Sequence, residues 1–200
     1  MRRIIAFNRV SADGYFSAPD GNLNWTVPEQ ELDRGVAENL GGTGTILFGR
    51  RTYDMFEGFW PHALDDPATA EDPHAAGRRS PEIRAMAEWI NAAEKHVWSR
   101  TRKDVPWRNS HLHGEFDPRD VQALKDAPGT DMMIFGSGQI VSLLTRHGLI
   151  DEYQFIVGPV LLGGGKQLVT GVPSTLKLEL AESRAFPSGN VRLRYVRPAQ

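Results

Sequence analysis

The chain opens on a short run of β-branched, aliphatic and aromatic residues, Arg2 to Val10, which reads as a strand and breaks at the turn-rich stretch Ser11 to Asn24 with its Asp13-Gly14 and Asp20-Gly21 pairs. Pro28 suits a first helical turn, and Leu32, Val36, Ala37 and Leu40 recur at helical spacing until Gly41-Gly42 stops them. Thr45 to Phe48 is uninterrupted by charge and ends at Gly49, the pattern of a strand buried on both faces, and a short helix is expected from Arg51 to Phe56. His62 to Ser80 carries Asp65-Asp66-Pro67, Asp72-Pro73 and Gly77-Arg78-Arg79, too polar and proline-rich to pack, so a mobile loop is expected there.

Strands and helices then alternate. Ser80-Pro81 starts a helix with Ile83, Met86 and Ile90 on its face, and Lys95 to Trp98 is the next strand. Asp117-Pro118 starts a helix carrying Val121 and Leu124. Met132 to Phe135 is another doubly buried strand, followed by Gly136-Ser137-Gly138 and a helix with Ile140, Leu143 and Leu144 that stops at Arg146-His147-Gly148. Tyr153 to Val157, Leu176 to Ala185 and Val191 to Val196 read as strands, the last two joined through Ser188-Gly189-Asn190 as a hairpin. This order predicts an α/β fold: a mixed, mostly parallel sheet covered on both faces, with a C-terminal antiparallel hairpin.

Two hundred residues, 40% of them hydrophobic, suffice for one core and do not call for a second, so one domain over residues 1–200 is expected. A net charge of −2, with 23 basic and 25 acidic side chains, leaves no footprint for nucleic acid or an anionic membrane. The N-terminal apolar run is too short for an export signal, and no run spans a membrane. The lack of cysteine excludes disulfides and thiolate metal sites and fits a cytoplasmic protein.

Three segments carry candidate chemistry, each directly after a strand, where open α/β sheets place ligands. Phe135-Gly136-Ser137-Gly138-Gln139 opens a helix with two glycines, so a phosphate can approach backbone N–H groups at the positive end of the helix dipole. A branched side chain at Gly138 is expected to stand where a pyrophosphate would lie. The alternative is a tight turn that needs glycine, and the full dinucleotide fingerprint is unmet because Val141 stands three positions after Gly138. Gly49-Arg50-Arg51-Thr52-Tyr53 places two arginines at a helix start, against a dipole that repels each by roughly 0.3–1 kcal/mol, a penalty that a bound anion reverses. Trp98-Ser99-Arg100-Thr101-Arg102-Lys103 offers donors and cations at a strand end, or is an ordinary basic loop. Two anion sites on different loops match the pyrophosphate and the separate ribose phosphate of NADP.

In order along the chain, Gly49-Arg50-Arg51-Thr52-Tyr53, Ser99-Arg100-Thr101, Gly136-Ser137-Gly138, Gly148-Leu149-Ile150-Asp151-Glu152 and Pro159-Val160-Leu161-Leu162-Gly163-Gly164-Gly165 resemble the dihydrofolate-reductase-like proteins related to the reductase domain of the bifunctional riboflavin-biosynthesis enzyme. The resemblance covers Arg2 to Val196. It implies a dihydrofolate-reductase-like three-layer α/β/α fold, NADPH as cofactor and a homodimer. It assigns Gly49, Arg50, Arg51, Thr52, Ser99, Arg100 and Thr101 to NADP phosphates, and Gly136, Ser137, Gly138 and Gln139 to the pyrophosphate. Ser11-Ala12-Asp13-Gly14 matches the family's opening motif against nicotinamide and substrate, which makes Ser11, Gly14 and Trp25 substrate-binding candidates and Asp13 the catalytic one.

The departures narrow the substrate. Dihydrofolate reductases place an acid five positions after a tryptophan like Trp25, and Gln30 stands there, an amide unable to relay a proton as a carboxylate does. The bifunctional enzyme's zinc deaminase half has no counterpart, and the aspartate-proline-arginine pattern expected after the Gly49 strand is missing. His111 and His113 share a strand face without a third ligand, so no metal is expected. Glu29 and Glu31 read as an acidic first helical turn, and Gly163-Gly164-Gly165-Lys166 as a turn near the substrate cleft or dimer seam. The expected function is hydride transfer from NADPH to a small heterocycle. The alternatives are a cofactor-binding sensor without turnover, a pterin reductase and a purely structural oligomer.

Overall fold

A computed structural model of the chain describes residues 1–39, 42–63 and 81–198. The anticipated loop lies outside the described residues from position 64 to 80, as do Leu40 and Gly41. The first strand, β1 (Ile4–Ser11), is followed by β2 (Tyr15–Ser17), α1 (Gln30–Asn39), β3 (Thr43–Gly49) and α2 (Arg50–Glu57). A short 3-10 turn, Trp60–His62, follows α2. After it come α3 (Pro81–Ala92), β4 (Glu94–Trp98), β5 (Ser110–His113), α4 (Pro118–Asp126), β6 (Asp131–Phe135), α5 (Gly138–Arg146), β7 (Glu152–Gly158), β8 (Lys166–Gln167), β9 (Glu179–Ala185) and β10 (Val191–Val196).

Eight strands form one sheet in the order β5-β4-β3-β6-β1-β7-β10-β9. The pairs from β5 to β7 are all parallel, and β10 returns antiparallel to both β7 and β9. This is the mixed, mostly parallel sheet with a terminal hairpin that the sequence predicts. One face packs Val121 of α4 and Ile140, Val141 and Leu144 of α5 against Ile4, Ala6, Leu47 and Ile134. The other packs Tyr53 of α2 and Ile90 of α3 against Ile46, Phe48, Val97 and Met133. There α1 adds a smaller cluster, Leu32 with Ile156 and Phe186. Helices on both faces explain why Ile46, Leu47 and Phe48 form an unbroken apolar run, since both sides of the strand are dry.

Local chemistry sets the helix ends. Asp117 caps α4 by accepting the Arg119 amide hydrogen at 2.8 Å, with Pro118 in the first turn. At the end of α3 the buried Lys95 ammonium donates to the carbonyl of Ala93 at 2.7 Å and lies 4.3 Å from the Trp107 ring centroid. Burial pushes the Lys95 pKa down to about 8. Two boundaries differ from expectation. The first helix begins at Gln30 rather than Pro28, because the Glu29 carboxylate turns back to accept the amide hydrogens of Glu31 at 3.2 Å and Ser188 at 3.1 Å. The hairpin's first strand begins at Glu179 rather than Leu176.

The sequence did not reveal β2 and β8, which pair antiparallel and draw the loop after β1 against the glycine loop after β7. There Gly165 has φ +145, and a Cβ on it would lie 2.2 Å from the Ser17 carbonyl oxygen, so only glycine permits this approach.

Candidate active site

The three candidate segments meet at one edge of the sheet, because β3, β4, β6 and β1 run parallel and end side by side. Gly136 and Ser137 both adopt the left-handed conformation, φ +56 and +55. Ser137 stands at the N-cap of α5 yet makes no side-chain cap. Its hydroxyl instead accepts the Gly49 amide hydrogen at 3.0 Å, and its own amide donates to the Thr52 hydroxyl at 3.1 Å. The Asn8 carboxamide donates to the Gly136 carbonyl at 3.0 Å. The starts of α2 and α5 are thereby stitched together, and neither has a side-chain cap or an acidic first turn. Two adjacent helix N-termini with free N–H groups form a site for anionic oxygens.

The glycines have different reasons to be glycine. A Cβ on Gly49 would come within 3.3 Å of Ile140 Cγ1, tighter than an ordinary contact, so the close approach of α5 leaves little room for a side chain. On Gly138 it would meet two Phe16 ring carbons at 2.8 Å. The direction a side chain would take there is toward the Phe16 ring of the β2 segment.

The arginines divide. Arg50 pairs with Asp54 at 2.7 Å, one helical turn on. Arg102 reaches Asp54 at 2.7 Å and Glu57 at 2.8 Å and stacks over Tyr53, 4.9 Å from the ring centroid, which clasps the β4 loop to α2. Arg51 and Arg100 are exposed, and among the described residues neither has a carboxylate partner. Ser99 is buried and its hydroxyl accepts the amide hydrogens of Thr101 at 3.2 Å and Arg102 at 2.9 Å, so it shapes the loop that presents Arg100 and Thr101. Gln139 is exposed in the first turn of α5.

The loop after β1 forms a latch. Ser11 donates to Asp13 at 2.6 Å and accepts the Tyr15 amide hydrogen at 2.9 Å, while Gly14, at φ +88, closes the turn on the Ser11 carbonyl. The Asp13 carboxylate also accepts the amide hydrogens of Leu162 at 3.1 Å and Gly163 at 2.7 Å. The Ser11 hydroxyl and these backbone N–H groups hold its pKa below the usual carboxylate value, so at neutral pH it is an anion that accepts hydrogen bonds. Trp25 lies against Gly158, the register partner of Ser11, and its indole N–H is buried without an acceptor among the described residues. Gln30 is exposed. Glu31 pairs with Arg184, and Glu29 is spent on backbone amides.

One participant escaped the sequence reading: Asn8, although a polar residue in the middle of an apolar strand was a signal. Arg102 stood among the donors of the β4 loop, but its engagement by Asp54 and Glu57 had no signal, since these lie 48 and 45 positions away.

The model of the RibD C-terminal domain matches residues 2–192. The chain belongs to that family. The uncharacterized protein YyaP of Bacillus subtilis is 27% identical over 194 residues, 97% of this chain and 94% of that one. Among solved structures, a Shewanella sp. PV-4 protein provisionally named for riboflavin biosynthesis superposes with a TM-score of 0.73 at 22% identity, covering 98% and 99% of the two chains. The deaminase/5-amino-6-(5-phosphoribosylamino)uracil reductase of Thermotoga maritima gives 0.62 at 14%, covering 98% of this chain and 57% of that one. Dihydrofolate reductase of Enterococcus faecalis, complexed with NADP(H), gives 0.61 at 12%, covering 98% and 97%. The RibD C-terminal family is one of reductase domains, and the fold is dihydrofolate-reductase-like. Among the described residues no helix is long and apolar enough to cross a membrane.

Proposed function

We propose that the chain is an NADPH-dependent reductase acting on a small heterocycle, with a phosphoribosylamino-pyrimidine as the first substrate to test. One observation carries this reading: two uncapped helix starts are stitched through Ser137, Gly49 and Thr52 beside Arg51 and Arg100, which no carboxylate among the described residues claims. The donor set fits a dinucleotide with an additional phosphate. The turn Gly136-Ser137-Gly138 with Gln139 would hold the pyrophosphate at the positive end of the α5 dipole, on N–H groups of its first turn. Arg51, Thr52, Arg100 and Thr101 would hold the ribose phosphate, with Arg50 in support, Gly49 keeping the two helix starts close and Ser99 setting the loop.

When bound, NADPH supplies the hydride. Ser11, Gly14 and Trp25 would border the substrate, with the Trp25 indole donating to an oxygen or nitrogen acceptor on it. Asp13, held as an anion, would orient a substrate N–H or a water rather than donate its own proton. The single-domain organisation over residues 1–200, a cytoplasmic location and the pairing of two chains belong to the same reading.

The test is NADPH binding by calorimetry, followed by NADPH consumption with the reductase substrate of riboflavin biosynthesis and with dihydrofolate. Consumption with the pyrimidine and not with dihydrofolate supports the proposal. Absence of NADPH binding overturns it. Tight binding without consumption favours a cofactor-binding sensor, a second reading that the amide at Gln30 supports.

A further inference from the structure

A cavity of about 370 Å³ lies on the α1 face of the sheet, at the end opposite the candidate active site. Its floor is apolar: Ile5 and Phe7 of β1, Met133 of β6 and Val36 of α1. Each strand rises about 3.3 Å per residue, so Met133 lies roughly 7 Å from the end of β6 at Phe135, with the Gly136-Ser137 turn beyond it. Phe7, on the cavity floor, packs edge to face with Phe135 at the end of β6, their ring centroids 5.9 Å apart.

The wall is a chain of alternating charges crossing five strands. Asp131 pairs with Arg3 at 2.8 Å, Arg3 with Glu152 at 3.4 Å, Arg194 with Glu152 at 3.5 Å and with Glu182 at 3.6 Å, and Arg192 with Glu182. The carboxylates along this row are largely occupied. Arg3 serves both oxygens of Asp131, Gln154 and Arg3 serve Glu152, Arg192 donates to one oxygen of Glu182, and Arg194 stands 3.6 Å from the other as an ion pair. The donors are not all matched. Among the described residues the Nε–H groups of Arg192 and Arg194 are buried without a hydrogen-bond acceptor, and Arg194 Nε stands 3.5 Å from Glu152 without bonding to it. Buried donors are seldom left unpaired, so the missing partner is an acceptor.

We infer that this cavity binds a small monocarboxylate with a flat apolar body, at a site separate from the cofactor edge. Two carboxylate oxygens match two guanidinium N–H groups, and the apolar body covers Phe7, Val36 and Met133. Three acidic side chains in the wall oppose a second negative charge, which disfavours a phosphate dianion.

Benzoate is the probe, titrated by calorimetry, with benzamide and benzylamine as its neutral and cationic counterparts. One benzoate per chain is expected, bound at least about tenfold more tightly than either counterpart. Arg192→Lys and Arg194→Lys keep the charge that faces Glu182 but remove the Nε–H, and each is expected to weaken benzoate about tenfold. Val36→Trp fills the cavity and is expected to abolish binding while the circular dichroism spectrum stays unchanged. Equal binding of the three probes, no benzoate binding at about 10 mM, unchanged affinity in a folded Val36→Trp chain, or displacement of benzoate by NADPH would each overturn the inference. None of these outcomes depends on reductase activity.

Discussion

The Ser137 hydroxyl accepts the Gly49 amide hydrogen at 3.0 Å across 88 positions of sequence, and that bond sets the start of one helix against the start of another. Ser137→Ala leaves the Gly49 N–H without its acceptor, which costs about 1–3 kcal/mol where the donor stays dry. The expected outcome is a lower urea midpoint together with a loss of NADPH affinity of about tenfold. Ser137→Thr, which keeps the hydroxyl, should recover most of both losses. A lowered midpoint with unchanged NADPH affinity would separate the stitch from the cofactor site.

Unequal pairing of the arginines predicts unequal effects on cofactor choice. Arg51 and Arg100 have no carboxylate partner among the described residues, whereas Arg50 is already held by Asp54. NADPH is expected to bind at least about tenfold more tightly than NADH, a gap of roughly 1.4 kcal/mol. Arg51→Ala and Arg100→Ala should each close most of that gap, and Arg50→Ala should change it less. Calorimetry with both cofactors on the three variants checks the ranking, and equal affinities in the wild type would remove the ribose-phosphate role from these loops.

Asp13 joins the loop after β1 to the glycine loop after β7 through the amides of Leu162 and Gly163. In Asp13→Asn the amide group replaces an acceptor oxygen with a donor, so one of these contacts is lost. Turnover is expected to fall by about a hundredfold, the span usual for a positioned acid–base or polarising group, with NADPH affinity nearly unchanged. Hydrogen exchange at Leu162 and Gly163 should quicken. Full turnover in this variant, with quickened exchange, would limit Asp13 to holding the two loops together.

Acid is expected to weaken the fold at the β4–β5 edge. His96 is buried, its Nδ1 lies 2.8 Å from His113 Nε2, and its ring stacks on those of His111 and His113 with centroids 5.1 Å away. Burial is the main reason its pKa falls to about 4; Glu94 opposes the fall, and His113, His111 and Arg2 add to it. The folded pKa is thus below the value of about 6.5 in an unfolded chain, so this contribution is whole above pH 6.5 and is lost as the pH drops toward 4. Burial lowers the pKa of His113 as well, in the same direction. After allowance for partial solvent screening the loss is of order 2 kcal/mol. Urea midpoints between pH 7 and 4.5 measure it, and His96→Asn should flatten the slope. An equal slope in both proteins would place the acid sensitivity elsewhere.

By itself the sequence determined the features that depend on neighbours along the chain. The doubly buried strand at 45–48, the Asp117-Pro118 helix start, the C-terminal hairpin and the order of the loops after β3, β4 and β6 could all be read from periodicity, caps and turns, since those signals act over a few residues. The tertiary structure alone decided which charges remain available. Asp54 stands four positions after Arg50 and three after Arg51, within helical reach of both, yet it claims Arg50, and Arg102 is claimed by two acids more than forty positions away. It also decided that Gly138 answers to the Phe16 ring and that Asp13 holds the glycine loop, because both depend on the β2–β8 pairing, too short to leave a periodic signal. Packing brings such partners together through the sheet order, and a pattern read along one chain carries no record of which distant side chain will occupy a given face.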